Sequence, residues 1–170
     1  MLALRLTKIG MAGSLAAFAF LVTFNNITDY GSNYGFVQHV LSMDTTFPDS
    51  TLRWRAITNP TLWNAGYLLI ILGEALTCAA YSIGTVALLR QLRASGATFN
   101  RAKQFVFIAT GLGFLVWFFG FMVVGGEWFA MWQSKTWNGQ EAAFRFYVAI
   151  QGAGVFIALD DRDLEGEPHR

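Results

Sequence analysis

Apolar residues in this chain fall in long blocks rather than in stripes with a helical or strand period. Four stretches, about 9–27, 65–89, 105–124 and 142–159, are apolar with at most one charge each. A bilayer core about 30 Å thick is crossed by roughly 20 apolar helical residues, so each block has the length of a span. The second contains Glu74, and the fourth contains Arg145 near its start, where a long side chain can snorkel to the interface. In a soluble protein of 170 residues, four such blocks would leave almost no polar surface to enclose them. The pattern predicts an all-α membrane protein, a four-transmembrane-helix bundle forming a single integral domain over 1–170, with short interfacial helices in the outer loops. For the first block a cleaved signal peptide is the alternative, because Ala17-Phe18-Ala19 resembles a small-residue cleavage site. The apolar run continues through Phe20, Leu21, Val22 and Phe24, which favours an uncleaved helix.

Charge adds an orientation. Only 14% of residues are charged, against roughly 25% in an ordinary soluble domain. The 12 Lys/Arg and 11 Asp/Glu leave a formal net charge of +1, too little to hold a nucleic-acid backbone. Arg5, Lys8, Arg90, Arg93, Arg101, Lys103, Arg162 and Arg170 fall on one side of the predicted spans; Arg53, Arg55, Lys135 and Arg145 fall on the other. By the positive-inside rule both termini are expected to be cytoplasmic. The acidic tail Asp160-Asp161-Arg162-Asp163-Leu164-Glu165 does not oppose this, since acidic residues contribute little to the rule.

The two outer loops, about 28–64 and 125–141, hold five of the six tryptophans: Trp54, Trp63, Trp128, Trp132 and Trp137. Phe36, Val37, Val40 and Leu41 line one side of a short helical stretch that Pro48 ends, and this helix is expected to lie on the membrane surface. Trp128, Phe129 and Trp132 recur at helical spacing before the turn pair Asn138-Gly139. An interfacial aromatic belt explains such residues without further function. A partner-docking face built from His39, Trp54, Glu127, Trp128, Trp132 and Trp137 is the functional alternative.

Glu74 is the ionisable residue at membrane depth, where an unpaired charge is costly. It lies nine residues below Ala65, about 13 Å at 1.5 Å per residue. Gln151 lies equally far below Ala142 on the fourth span, and Trp117 comes within about a turn of that level. A polar cluster of Glu74, Gln151, Trp117 and Tyr81 is therefore expected inside the bundle. On span two, Glu74, Cys78, Tyr81 and Thr85 form a polar stripe beside a small-residue stripe of Gly73, Thr77, Ala80 and Gly84. The cluster reads either as packing glue or as a proton-carrying or substrate-binding carboxyl.

Other chemistries find little support. Cys78 is the single cysteine, and no Cys/His spacing resembles a metal site. His39 and His169 are expected on opposite sides of the membrane, which disfavours haem held by both. No phosphate-binding loop, dinucleotide fingerprint or hydrolase elbow is present, so no cofactor is expected and an enzyme is the lesser reading, resting on His39, Asp44 and Glu127. Asn26-Ile27-Thr28 matches a glycosylation acceptor but sits close to the first span.

Two strings, Tyr30-Gly31-Ser32-Asn33-Tyr34-Gly35-Phe36-Val37-Gln38-His39-Val40-Leu41-Ser42-Met43-Asp44 and Gly125-Gly126-Glu127-Trp128-Phe129-Ala130-Met131-Trp132-Gln133-Ser134-Lys135-Thr136-Trp137-Asn138-Gly139-Gln140, are distinctive. With Trp54-Arg55-Ala56-Ile57, Glu74 and Asp160 they resemble a bacterial family of predicted small integral membrane proteins, domain of unknown function 2165. The resemblance implies four spans in a bacterial inner membrane and supplies no reaction, ligand or catalytic residue. The expected role is an interaction or accessory subunit of a larger membrane assembly, with the lipid bilayer and a membrane protein or a second copy of the chain as partners. A small proton-coupled transporter using Glu74 is the alternative.

Overall fold

The structure is a computed structural model that describes residues 1–164. Glu165, His169 and Arg170, which entered the sequence argument, lie outside the described residues. The described residues form six α-helices: α1 (Leu2–Thr28), α2 (Tyr30–Ser42), α3 (Pro60–Arg90), α4 (Gly96–Arg101), α5 (Gln104–Phe114) and α6 (Gln140–Ala158). Short 3-10 turns occur at Arg53–Arg55 and Met131–Gln133.

Local chemistry sets most boundaries. Asn59 caps α3 by accepting from the Thr61 N–H, with Pro60 at the first helical position, where its missing N–H costs nothing. Ser95 caps α4 through the Thr98 N–H. Met43 ends α2 in the left-handed region at φ 52°. After Phe114, α5 continues as a π-helix over Leu115–Trp128, closing with the Phe129 N–H on the Val124 carbonyl five residues back at 3.0 Å. Fourteen residues is long for a geometry usually confined to single turns.

The helix α3 is central, with its largest interfaces against α1 and α5; α6 packs on α5, the π segment and α1. On α3 the polar and small-residue stripes merge into one inward face: Glu74, Thr77, Ala80, Tyr81 and Gly84 are all buried. Glycines set the closest approaches. A Cβ on Gly84 would stand 3.0 Å from the Val106 backbone nitrogen, and one on Gly154 would stand 2.8 Å from the Thr110 methyl group. Leu69, Leu72, Leu115, Phe119 and Val155 point outward and exposed, as side chains surrounded by lipid do.

The runs Leu2–Thr28, Pro60–Arg90 and Gly96–Trp128 are long and apolar enough to cross a membrane. At 19 residues α6 is about 28 Å long, but Glu141, Arg145 and Gln151 lower its apolar content. The helices also outrun the expected spans, α1 beginning at Leu2 instead of Ile9 and α3 at Pro60 instead of Ala65. The expected surface position of the first outer helix is corrected. The apolar face of α2 is covered by protein, Val37 packing with Tyr67 and Ile71, and Val40 with Met43, Phe129 and Met131.

The charges at the other end are withdrawn from solvent. Arg5, Lys8 and Lys103, three of the basic residues that set the expected orientation, are buried along with Asp161. Lys8 and Lys103 both donate to Asp161 Oδ2, at 2.6 and 2.7 Å, and both donate to the Leu159 carbonyl. Arg5 donates to the carbonyls of Leu92, Ala94 and Arg162 at 2.9, 2.6 and 2.8 Å, its guanidinium lying 4.7 Å over the Phe99 ring. Asn100 exchanges two hydrogen bonds with the Asp161 backbone, and Asp163 accepts from the Gly96 N–H at 2.6 Å. The segment after α6 is thereby tied to α1, α4 and the start of α5. Burial pushes the Asp161 carboxyl up, but the Lys103 and Lys8 ammonium groups outweigh it and hold the carboxyl below the usual carboxylate range.

Candidate functional site

At the opposite end of the bundle, the inward face of α3 meets α1, α2 and the π segment around a cavity of about 260 Å³. Glu74 is 2% exposed on its wall. Asn26, near the end of α1, donates from Nδ2 to Glu74 Oε2 at 2.7 Å and accepts at Oδ1 from Asn33 Nδ2 at 2.6 Å. The Tyr67 hydroxyl donates to the Asn26 carbonyl at 3.1 Å, fixing the end of α1 against α3. Asn33 lies on α2 and is exposed. A chain of three side chains thus runs from a buried carboxyl to the protein surface. Among the described residues no Lys, Arg or His pairs with Glu74, and no side chain donates to its second oxygen, Oε1.

Of the residues expected around Glu74, the structure brings Trp117 to the same cavity, its ring held by Phe18 and Phe146 at centroid distances of 5.6 and 6.1 Å. Tyr81 is buried elsewhere, its hydroxyl 3.0 Å from Thr110 Oγ1. Gln151 is half-buried on α6 and does not line the cavity. Asn26 and Asn33 take the place that the depth arithmetic gave to Gln151. No helical spacing in the sequence announces this pair, because Asp29, at φ −117° and ψ 55°, breaks the helix between Asn26 on α1 and Asn33 on α2. Asn26 carried a glycosylation reading, but its side chain is buried against the carboxyl.

A second cavity, of about 380 Å³, lies between α2, α3 and the π segment and is lined by apolar side chains and glycines. Phe36, Val37, Ile70 and Phe121 belong to the walls of both cavities.

The loops at about 43–59 and 129–139 fold over this end as a cap. Met43, Phe129, Ala130 and Met131 form its core, with Leu52 and Ile57 packed against them. His39 Nδ1 sits 2.8 Å from Asp44 Oδ2 with its ring stacked on Trp137. Trp54 and Trp128 meet edge to face at 6.0 Å, and Arg55 lies 4.7 Å over Trp128 while donating to its carbonyl at 3.2 Å. Trp132 meets Phe47 at 5.8 Å, and Glu127 is exposed. The expected docking residues therefore sit in separate small clusters on one cap. Among the described residues no group of three His, Cys, Asp or Glu converges as a metal site.

Apolar helices of spanning length, a lipid-like exterior and a carboxyl in a cavity inside the bundle define an integral membrane protein with a polar internal site. The chain belongs to the domain of unknown function 2165 family, described as predicted small integral membrane protein, whose sequence profile matches residues 4–160. No curated protein and no solved structure matches it.

Proposed function

We propose that this protein is a four-span binding subunit of a bacterial inner membrane, with α6 as its fourth span, both termini cytoplasmic, and a site at Glu74 that takes a cationic or hydrogen-bond-donating group from the outer side. The observation that carries this reading is the Glu74 carboxyl, buried on a cavity wall without a basic partner among the described residues and linked through Asn26 to exposed Asn33. A carboxylate in low dielectric attracts a cation far more strongly than one in water does. Such a cavity with a few convergent polar groups is the ordinary form of a small-ligand site.

Ethylammonium chloride titrated onto the protein in lipid nanodiscs is expected to raise its unfolding temperature saturably. At a hundredfold excess over the dissociation constant the gain is about 2.7 kcal/mol. Glu74→Gln keeps the shape and removes the charge, so its response is expected to vanish. An equal response from both proteins rejects the site. Ethylammonium uptake into proteoliposomes that depends on a pH gradient and disappears in Glu74→Gln favours the proton-coupled carrier over the binding subunit.

The orientation is tested with Cys78 replaced by alanine and single cysteines introduced at Asp49, Lys135 or Ala97, all exposed positions. An impermeant thiol reagent is expected to label Asp49→Cys and Lys135→Cys in intact cells and to leave Ala97→Cys unlabelled. Labelling at Ala97→Cys alone inverts the assignment.

A docking role for the cap is the second reading, favoured by Trp54, Trp128 and Trp132, which stand 72%, 48% and 48% exposed. Native mass measurement after gentle extraction is expected to find the chain bound to another membrane protein or to a second copy, and the complex is expected to weaken when Trp54 and Trp128 are both changed to serine. A monomer under every gentle condition removes this reading.

A further inference from the structure

We propose that the two cavities form one site for a single-chain amphiphile, its cationic head at Glu74 and its apolar chain in the larger cavity between α2, α3 and the π segment. This inference rests on the Glu74 reading above and names the ligand class that the site takes. Its first support is adjacency. Phe36, Val37, Ile70 and Phe121 wall both cavities, so a ligand reaching Glu74 has the apolar chamber directly beside its head.

Access is the second support. Leu69, Leu115 and Phe119 line the apolar chamber and are 69%, 57% and 52% exposed on spanning elements, which puts its mouth on the lipid-facing side. A ligand entering there comes from the bilayer. Room for the chain is left on the chamber wall at Gly120. At Gly120 a Cβ would find no atom nearer than 3.8 Å, so a larger side chain there would project into open space.

The head is specified by what Glu74 lacks. Asn26 takes Oε2, and among the described residues Oε1 has no donor and no basic side chain neutralises the group. An ammonium head supplies both a donor and the missing positive charge, whereas a hydroxyl supplies the donor alone and a carboxylate head is repelled.

The test uses the full-length protein in nanodiscs, with unfolding temperature followed against the mole fraction of dodecylammonium, dodecanol or dodecanoate, and against ethylammonium in solution. Dodecylammonium is expected to stabilise at a half-saturating fraction about tenfold below that of dodecanol, a preference that falls to about twofold or less in Glu74→Gln. Dodecanoate is expected not to stabilise. Gly120→Leu, which fills the chamber, and Leu69→Trp, which obstructs its mouth from an exposed position, are each expected to weaken dodecylammonium about tenfold while leaving ethylammonium unchanged. Should Gly120→Leu fail to fold, Leu69→Trp carries the comparison. Equal effects of dodecylammonium and dodecanol on the unaltered protein overturn the proposal in favour of unspecific lipid filling. Ethylammonium binding that matches dodecylammonium and ignores both chamber variants overturns the amphiphile but keeps the Glu74 site. Absence of any ammonium effect overturns both.

Discussion

Asp161→Ala is expected to lower stability by about 3–5 kcal/mol, the range for removing one partner of a buried ion pair. Among the described residues the Asp161 carboxylate is the one anion meeting Lys8 and Lys103, and both lysines are essentially inaccessible to water. Without it two ammonium groups remain within reach of the Leu159 carbonyl but with no counter-charge. They must lose protons, draw in water or leave the interior, and each course loosens the ends of α1 and α5. Asp160→Ala, one residue away and exposed, is the control and is expected to change stability by less than about 0.5 kcal/mol. The pH dependence follows from the direction of the shift. Because the folded protein holds the Asp161 carboxyl below its ordinary value of 3.8, the pair's stabilisation is fully present above that value and is lost as pH falls through the lower, folded one. Unfolding temperatures of the native protein and Asp161→Asn are therefore expected to differ most near neutrality and to converge in acid below about pH 4. A constant difference across that range removes the charged lock as the cause.

That lock shows where reading the sequence stopped. Lys/Arg placement indicates a side of the membrane but not whether a charge is solvated there. Arg5 and Lys103 stand 98 positions apart, and they converge where the Phe99 ring and the segment after α6 meet at the bundle end. The acidic residues of that segment carry little weight in the positive-inside rule, so nothing local singles out Asp161 as the residue that inserts. The apolar blocks were legible because span length is a local property, whereas the helix ends were not, because the polar turns that extend α1 and α3 are supported by the cap and the lock. Glu74 was visible as a charge at depth, and Trp117 followed from counting residues along straight spans. Asn26 was missed because the same counting put it at the water boundary. The outer end of α1 is instead roofed by α2, and α3 starts five residues before its expected boundary, so a residue counted as interfacial becomes interior. No local pattern announces the π-helix, whose apolar residues serve an α-helix equally well.

Gly84→Leu is expected to have the second large effect, because it wedges α3 away from α5 at one of the two largest interfaces in the bundle. A Cβ at this position would stand 2.8 Å from the Val106 methyl, 3.0 Å from the Val106 nitrogen and 3.3 Å from the Phe105 carbonyl carbon. The methyl can turn away, but the backbone of α5 cannot move without disturbing Val106 and Ala109, both wholly buried beside Tyr81 and Leu88. Gly84→Ala is accordingly expected to cost about 1–3 kcal/mol, the range for overpacking, and Gly84→Leu more. Gly111→Ala and Gly152→Ala provide the contrast. Both glycines are helical with nothing within 4 Å of the added atom, so alanine there is expected to stabilise by up to about 1 kcal/mol through helix propensity alone. Since α3 carries Glu74 on the same inward face, displacement at Gly84 also shifts the carboxyl relative to Asn26. Gly84→Ala is therefore expected to weaken ethylammonium binding along with stability, while Gly152→Ala leaves binding unchanged. Thermal unfolding and ammonium titration of the three alanine variants check both halves. If Gly84→Ala is as stable as the unaltered protein, the close α3–α5 crossing is not a constraint on the fold.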